Sequence, residues 1–225
     1  MNLLRSIRNR IPVFSSAGER YHLWYYGNRI WTKTTWMGVP AEKSPLDMWN
    51  YQEIISELKP SLIVEFGSRF GGSALFFSFL LRQMGRPFRI LSVDIDHSNV
   101  FEPARADRNI ELLTLSSADQ RVGTRISDLR VEYPGTVFAI VDSDHTKSHV
   151  LDEMLLLRSV LRPGDYLIVE DSNINGHPVW PSFGPGPYEA LQEYFSRFPN
   201  DYAHDTQREK KFGFTFAPSG FLIRR

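Results

Sequence analysis

Five short runs of β-branched and apolar residues, each followed by a longer amphipathic stretch, constrain this chain more than any other feature. The runs fall at 62–65, 89–93, 110–114, 136–141 and 166–169, and helical periodicity appears near 72–84, 98–106, 119–130, 147–161 and 187–198. Strands separated by a helix-length crossover become parallel neighbours. The pattern therefore predicts an α/β fold: a doubly wound, mostly parallel sheet covered by helices on both faces. Upstream, Ser44-Pro45-Leu46-Asp47 predicts a helix start, with Ser44 as cap, Pro45 at the first position and Asp47 complementing the dipole. Trp49, Ile54, Ile55 and Leu58 form the expected buried stripe of that helix. At the far end, 212–216 and 221–224 flank Ala217-Pro218-Ser219-Gly220 and read as an antiparallel hairpin. Residues 1–44 are aromatic and basic without a sustained period, and read as an appendage to a main domain over 45–225.

Composition narrows the function classes. The 225 residues carry 26 basic and 26 acidic side chains. That balance removes the electrostatic case for nucleic acid or a membrane surface and favours a small neutral partner. The absence of cysteine excludes disulfides, thiolate metal sites and a cysteine nucleophile. No stretch reaches the roughly 20 apolar residues of a membrane span, and the first ten residues mix arginine into their apolar positions, unlike a secretion signal. A cytoplasmic location is the expectation. Exposed aromatics in the first segment leave a homo-oligomer open.

The chemistry concentrates where predicted strands end. Asp142-Ser143-Asp144-His145 closes one run and Glu170-Asp171 the next. In a parallel sheet those ends share an edge, so Asp142, Glu170 and Asp171 can converge on one crevice. Crowded carboxylates repel unless a cation lies between them, and all-oxygen ligation suits Mg²⁺ first, then Ca²⁺ or Mn²⁺. Helix capping by Asp142 or Asp144 and solvation of Asp171 is the competing account. His145, with an ordinary pKa near neutrality, is placed to remove a proton from a bound hydroxyl.

The first strand runs into Glu65-Phe-Gly67-Ser-Arg-Phe-Gly71-Gly72-Ser73, a glycine-rich turn before an apolar helix. The spacing is not Gly-x-Gly-x-x-Gly, so a dinucleotide fingerprint fits poorly. An acid two residues before the first glycine suggests an amine-bearing ligand such as the aminocarboxypropyl end of S-adenosylmethionine, although a tight structural turn explains the glycines too. Asp94, at the second strand's tip, can take the two hydroxyls of an adenosine ribose. Ser117 lies where an adenine ring would rest, and capping of the next helix is an equal explanation. The loop from Asn173 to Pro187 has the place of a lid, with His177 and Trp180 as substrate contacts; stiffening by its prolines is the alternative.

Several of these segments together resemble the cephalosporin hydroxylase family: Thr35-Trp36-Met37-Gly38-Val39-Pro40, Lys43-x-Pro45-x-Asp47-x-Trp49-x-Tyr51-Gln52-Glu53, the glycine-rich turn, Asp142-x-x-His145, Glu170-Asp171 and Glu209-Lys210-x-Phe212-x-x-Thr215-x-x-Pro218-x-Gly220-Phe221. The likeness spans about residues 33–225. It implies a Rossmann-like class I S-adenosylmethionine-dependent O-methyltransferase, in a family where several members need Mg²⁺ and some are described as rhamnosyl O-methyltransferases. By that resemblance Asp142, Glu170 and Asp171 match metal ligands, His145 matches a catalytic base, and Glu65, Gly67 and Asp94 match cofactor positions. Ser73, Ser117 and Asp142 complete the expected cofactor-facing set. The expected reaction is methylation of a hydroxyl on a sugar or glycosylated natural product. Two other classes compete: a non-haem iron hydroxylase, and a non-catalytic methyltransferase-like partner subunit.

Overall fold

A computed structural model describes residues 16–225 of the chain. In chain order the elements are α1 (Ala17–Gly27), a 3-10 turn (Ile30–Lys33), β1 (Thr35–Trp36), β2 (Val39–Pro40), α2 (Pro45–Leu58), β3 (Leu62–Phe66), α3 (Gly72–Arg82), β4 (Arg89–Asp94), α4 (Glu102–Arg105) and β5 (Ile110–Thr114). They continue with α5 (Gln120–Glu132), β6 (Val137–Val141), α6 (Lys147–Val160), β7 (Tyr166–Val169), α7 (Pro187–Arg197), β8 (Tyr202–His204), α8 (Thr206–Lys210) and β9 (Phe221–Arg224).

The main sheet has seven strands in the order β5-β4-β3-β6-β7-β9-β8. From β5 to β7 all neighbours are parallel, as the sequence predicts. The chain builds β3, β4 and β5 outward on one side, then returns to place β6 and β7 on the other, so the order reverses between β3 and β6. Ligands of open α/β sheets bind outside the strand ends at such a reversal. Among the described residues no helix is long and apolar enough to cross a membrane.

Alternation along the strands sorts the core into two layers. Leu62, Val64, Phe66, Val137, Ala139, Val141, Leu167 and Val169 pack with α5, α6 and α7. Ile63, Ile90, Phe138, Ile140, Tyr166 and Ile168 pack with Tyr51, Ile54 and Ile55 of α2 and Leu75 and Phe77 of α3.

Three expectations are corrected. The C-terminal strand β9 does pair antiparallel, but with β7 and β8; residues 212–216 form no strand. Phe214 and Phe216 instead turn their rings onto His22 and Tyr25 of α1. Trp49 is 59% exposed and its indole N–H donates to Glu53 at 3.0 Å, while Asp47, Asn50 and Tyr51 face inward. Ser44 occupies the N-cap position of α2 but its hydroxyl makes no capping bond.

Candidate active site

The same alternation that sorts the core places the acids. Glu65 shares the facing of Ile63 on β3, Asp142 continues Phe138 and Ile140 beyond β6, and Glu170 continues Tyr166 and Ile168 beyond β7. Three carboxyl groups from three adjacent strands thus form a row on the α2 side of the sheet, at its carboxyl edge. Asp171 follows Glu170 with φ 52, a left-handed conformation costly for a residue with a Cβ.

One ligand atom each from Asp142, His145 and Asp171 lie within 4.8 Å of one another. His145 Nε2 is 3.2 Å from Asp171 Oδ2. Burial raises the Asp171 carboxyl above its ordinary range, with His145 opposing and Asp142 adding to the rise. Glu170 is held differently: its Oε1 accepts from Tyr51 Oη at 3.0 Å and lies 3.0 Å from Lys43 Nζ. Lys43 Nζ also donates to Asp142 Oδ2. Burial pushes the Glu170 carboxyl well up, against the pull of Lys43. Burial alone would lower the Lys43 ammonium's pKa, but Asp142, Glu170 and Glu65 outweigh it and hold it above the ordinary range. Asp144 stands apart and caps the approach to α6, its Oδ1 accepting from Thr146 N at 2.8 Å.

Lys43 reaches this place because the segment before α2 is clamped. Thr34 Oγ1 bonds both the carbonyl and the N–H of Lys43, at 3.1 and 3.2 Å. A Cβ on Gly72 would lie 2.3 Å from Pro40 O, so only glycine lets the β2 segment cross the start of α3. Gly67 is equally constrained: it has φ +96, and a Cβ there would meet Asp142 O at 2.0 Å.

On the other side of the order reversal, Glu65 is fully buried. Its Oε2 accepts from Ser92 Oγ at 2.7 Å, the residue opposite it on β4. Its Oε1 is buried and makes no hydrogen bond of ordinary length among the described residues; burial raises the carboxyl's pKa, opposed by the Lys43 ammonium and the hydroxyls of Ser73 and Ser92. Ser73 is buried in the first turn of α3. Asp94 Oδ2 accepts from the N–H groups of Ser68 and Arg69 at 2.9 and 3.1 Å, so it shapes the turn. Asp119, not Ser117, caps α5; the Ser117 hydroxyl is 2.9 Å from His149 Nε2.

The loop after β7 is closed by Glu189, whose carboxylate accepts from Asn175 Nδ2 at 3.0 Å and Gly186 N at 2.7 Å and pairs with His177 Nε2 at 2.9 Å. His177 stacks on Tyr188 with ring centroids 3.8 Å apart. Trp180 is 51% exposed and stands edge-on to Phe183.

Residues 28–225 match the family model described as Rhamnosyl O-methyltransferase/CmcI. The chain belongs to the rhamnosyl O-methyltransferase/CmcI family. This is the same family as the resemblance carried by Asp142-x-x-His145 and the segments around it. A rhamnosyl O-methyltransferase of Mycobacterium tuberculosis is 58% identical over 209 residues, covering 93% of this chain and 85% of that protein. An apo-structure of CmcI superposes with TM-score 0.69 at 25% identity, covering 86% of this chain and 76% of that one. A CmcI structure with Mg and SAM superposes at 0.66 with 24% identity, covering 86% and 77%, and shares the fold. Within the rhamnosyl O-methyltransferase/CmcI family sequence segments, Lys43 is the site residue that pattern reading did not single out. Nothing local marked it: Glu42 and Asp47 stand close in sequence, yet its ammonium pairs with Asp142 and Glu170, about a hundred residues on.

Proposed function

We propose that this protein moves a methyl group from S-adenosylmethionine to a sugar hydroxyl with the help of Mg²⁺. A rhamnosyl residue is the first acceptor to try, since the relative at 58% identity carries that name. The observation that carries the reading is the meeting of Asp142 and Asp171 with His145, beside a buried Glu65 oxygen that makes no hydrogen bond of ordinary length among the described residues.

The donor chemistry suits both groups, although the side chains that meet here are Asp142, His145 and Asp171, with Glu170 on the adjacent strand end held to Lys43 and Tyr51. Asp142, Glu170 and Asp171 would hold the ion, an oxygen set suited to a hard divalent cation. Glu65 would take the cofactor's ammonium at Oε1, Gly67 would let the ligand approach the chain, Asp94 would take the ribose hydroxyls through Oδ1, which here accepts from Asp96 N at 3.3 Å, and Ser73 and Ser117 would line the two ends. When bound, the ion supplies charge that eases ionisation of an alcohol, and the sulfonium supplies an activated methyl. His145 accepts the hydroxyl proton, and the Asp171 carboxylate, whose Oδ2 lies 3.2 Å from Nε2, stabilises the imidazolium that results. Asp142 and Asp171 fix where the hydroxyl sits relative to His145, and that positioning is the larger part of the acceleration. Trp180 offers an exposed flat face for the sugar ring, and His177 borders it through the loop that Glu189 closes. A non-haem iron hydroxylase fits less well, because the group holds one histidine and two carboxylates, not two histidines and one.

His145→Asn separates base from ligand. As a base, its loss lowers kcat about 10²–10⁴-fold while Mg²⁺ affinity by calorimetry stays unchanged. A matching loss of Mg²⁺ affinity would instead make His145 a ligand and displace Glu170 from the proposed set.

A further inference from the structure

Lys43 is not explained by the fold alone. Its side chain is only 2% exposed, and it enters the row of carboxyl groups from a segment clamped by Thr34 and Gly72. Its ammonium touches one oxygen of Asp142 and one oxygen of Glu170, and Tyr51 donates to that same Glu170 oxygen. Each carboxylate therefore has one oxygen committed to Lys43.

We propose that Lys43 is a positioning residue of the metal centre: it pins Oδ2 of Asp142, the carboxylate that meets Asp171 and His145, and braces it against Oε1 of Glu170, so that Asp142 is held in place for the divalent ion. The inference rests on the metal-binding reading above. Charge counting supports it. Glu65, Asp142, Glu170 and Asp171 bring four carboxyl groups to this edge, and Lys43 offsets one, so a divalent ion balances the site further and does not overfill it. Metal-binding carboxylates are commonly held by such outer partners, and losing one typically costs 10–100-fold in affinity.

The test titrates Mg²⁺ alone into the full-length protein by calorimetry, for the wild type and for Lys43→Met, Lys43→Arg and Asp142→Asn. S-adenosylhomocysteine binding without metal is measured alongside. Lys43→Met is expected to weaken Mg²⁺ binding 10–100-fold with S-adenosylhomocysteine affinity nearly unchanged, and Lys43→Arg, which keeps charge and donors, to recover most of it. Unchanged or tighter Mg²⁺ binding by Lys43→Met overturns the assignment. If Lys43→Met loses both ligands, Lys43→Arg decides: restored Mg²⁺ binding supports the role, and binding as poor as the Met variant refutes it. Should Asp142→Asn abolish Mg²⁺ binding while Lys43→Met leaves it intact, only the Lys43 role fails. If Asp142→Asn has no effect, or the wild type takes up no Mg²⁺, the metal site itself is misplaced and the Lys43 role falls with it.

Discussion

His22 shows how one side chain ties the N-terminal helix to the candidate site. It is 3% exposed, stacks against both Phe214 and Phe216, and its Nε2 accepts from Asn173 Nδ2 at 2.9 Å, two residues after Asp171. Burial lowers its pKa from 6.5 to about 4, consistent with a ring that must be neutral to accept. A proton would set two donors face to face. The folded state therefore binds fewer protons than the unfolded chain between about pH 4 and 6.5. The stability from neutral His22 is complete above pH 6.5 and lost as pH falls toward 4, at most about 3 kcal/mol. Asp47, raised by burial to about 6, has the opposite dependence, its contribution lost as pH rises through that range. The two are separated by difference: His22→Gln keeps an acceptor without titrating. The fall in melting temperature from pH 7 to pH 5 should be several degrees smaller in the variant than in the wild type. Equal falls would show that His22 is not held neutral.

At the scale of elements, the strap formed by β1, β2 and the residues leading to Lys43 depends on a glycine of the turn after β3. Gly72 sits under Pro40 O, so Gly72→Ala should push the strap outward at a cost of about 1–3 kcal/mol. Hydrogen exchange would report it as faster exchange at the N–H of Ala41 and Lys43, which bond Thr34. Unaltered protection there would mean that the strap is held elsewhere. The loop after β7 is a second such element. Glu189 fastens it from inside, so Trp180 can be removed without disturbing its frame. Trp180→Ala should raise KM for the acceptor about tenfold or more, in line with the loss of ~1–3 kcal/mol of stacking, and leave cofactor binding and melting temperature unchanged. Loss of kcat with an unchanged KM would contradict a ring-stacking role.

Much of this was legible because strands and acid tips are local patterns. The five strand runs match β3 to β7 to within a residue at either end, and Asp142, Glu170 and Asp171 come to adjacent strand ends as parallel pairing requires. What was not legible depends on partners distant in sequence. Trp49 looked like core by spacing, yet α2 buries Asp47, Asn50 and Tyr51 because their partners, Phe216, Arg208 and Glu170, lie more than 100 residues away. The alternating phenylalanines of 212–216 carry the period of a strand, but their partner is an aromatic helix face and not a neighbouring ladder. The helix expected over 98–106 shortens to Glu102–Arg105, since Pro103 suits a first turn and removes a donor from any longer helix.

For the whole molecule, the sheet order explains why metal, cofactor and acceptor functions can share one edge. Reversal between β3 and β6 opens a crevice whose two walls end in Glu65 and Asp142, and β7 adds Glu170 and Asp171 beside them. The loop fastened by Glu189 lies on the chain that leaves β7. The central claim is that this edge performs ion-assisted methylation of a sugar hydroxyl. Its most direct test is intact-mass measurement of a rhamnosylated acceptor incubated with the protein and S-adenosylmethionine, with Mg²⁺ in one sample and a chelator in the other. The account predicts a gain of one methyl group with Mg²⁺, little or none with chelator, and none with Asp142→Asn. Equal methylation in the two samples, or transfer that survives Asp142→Asn, would contradict it.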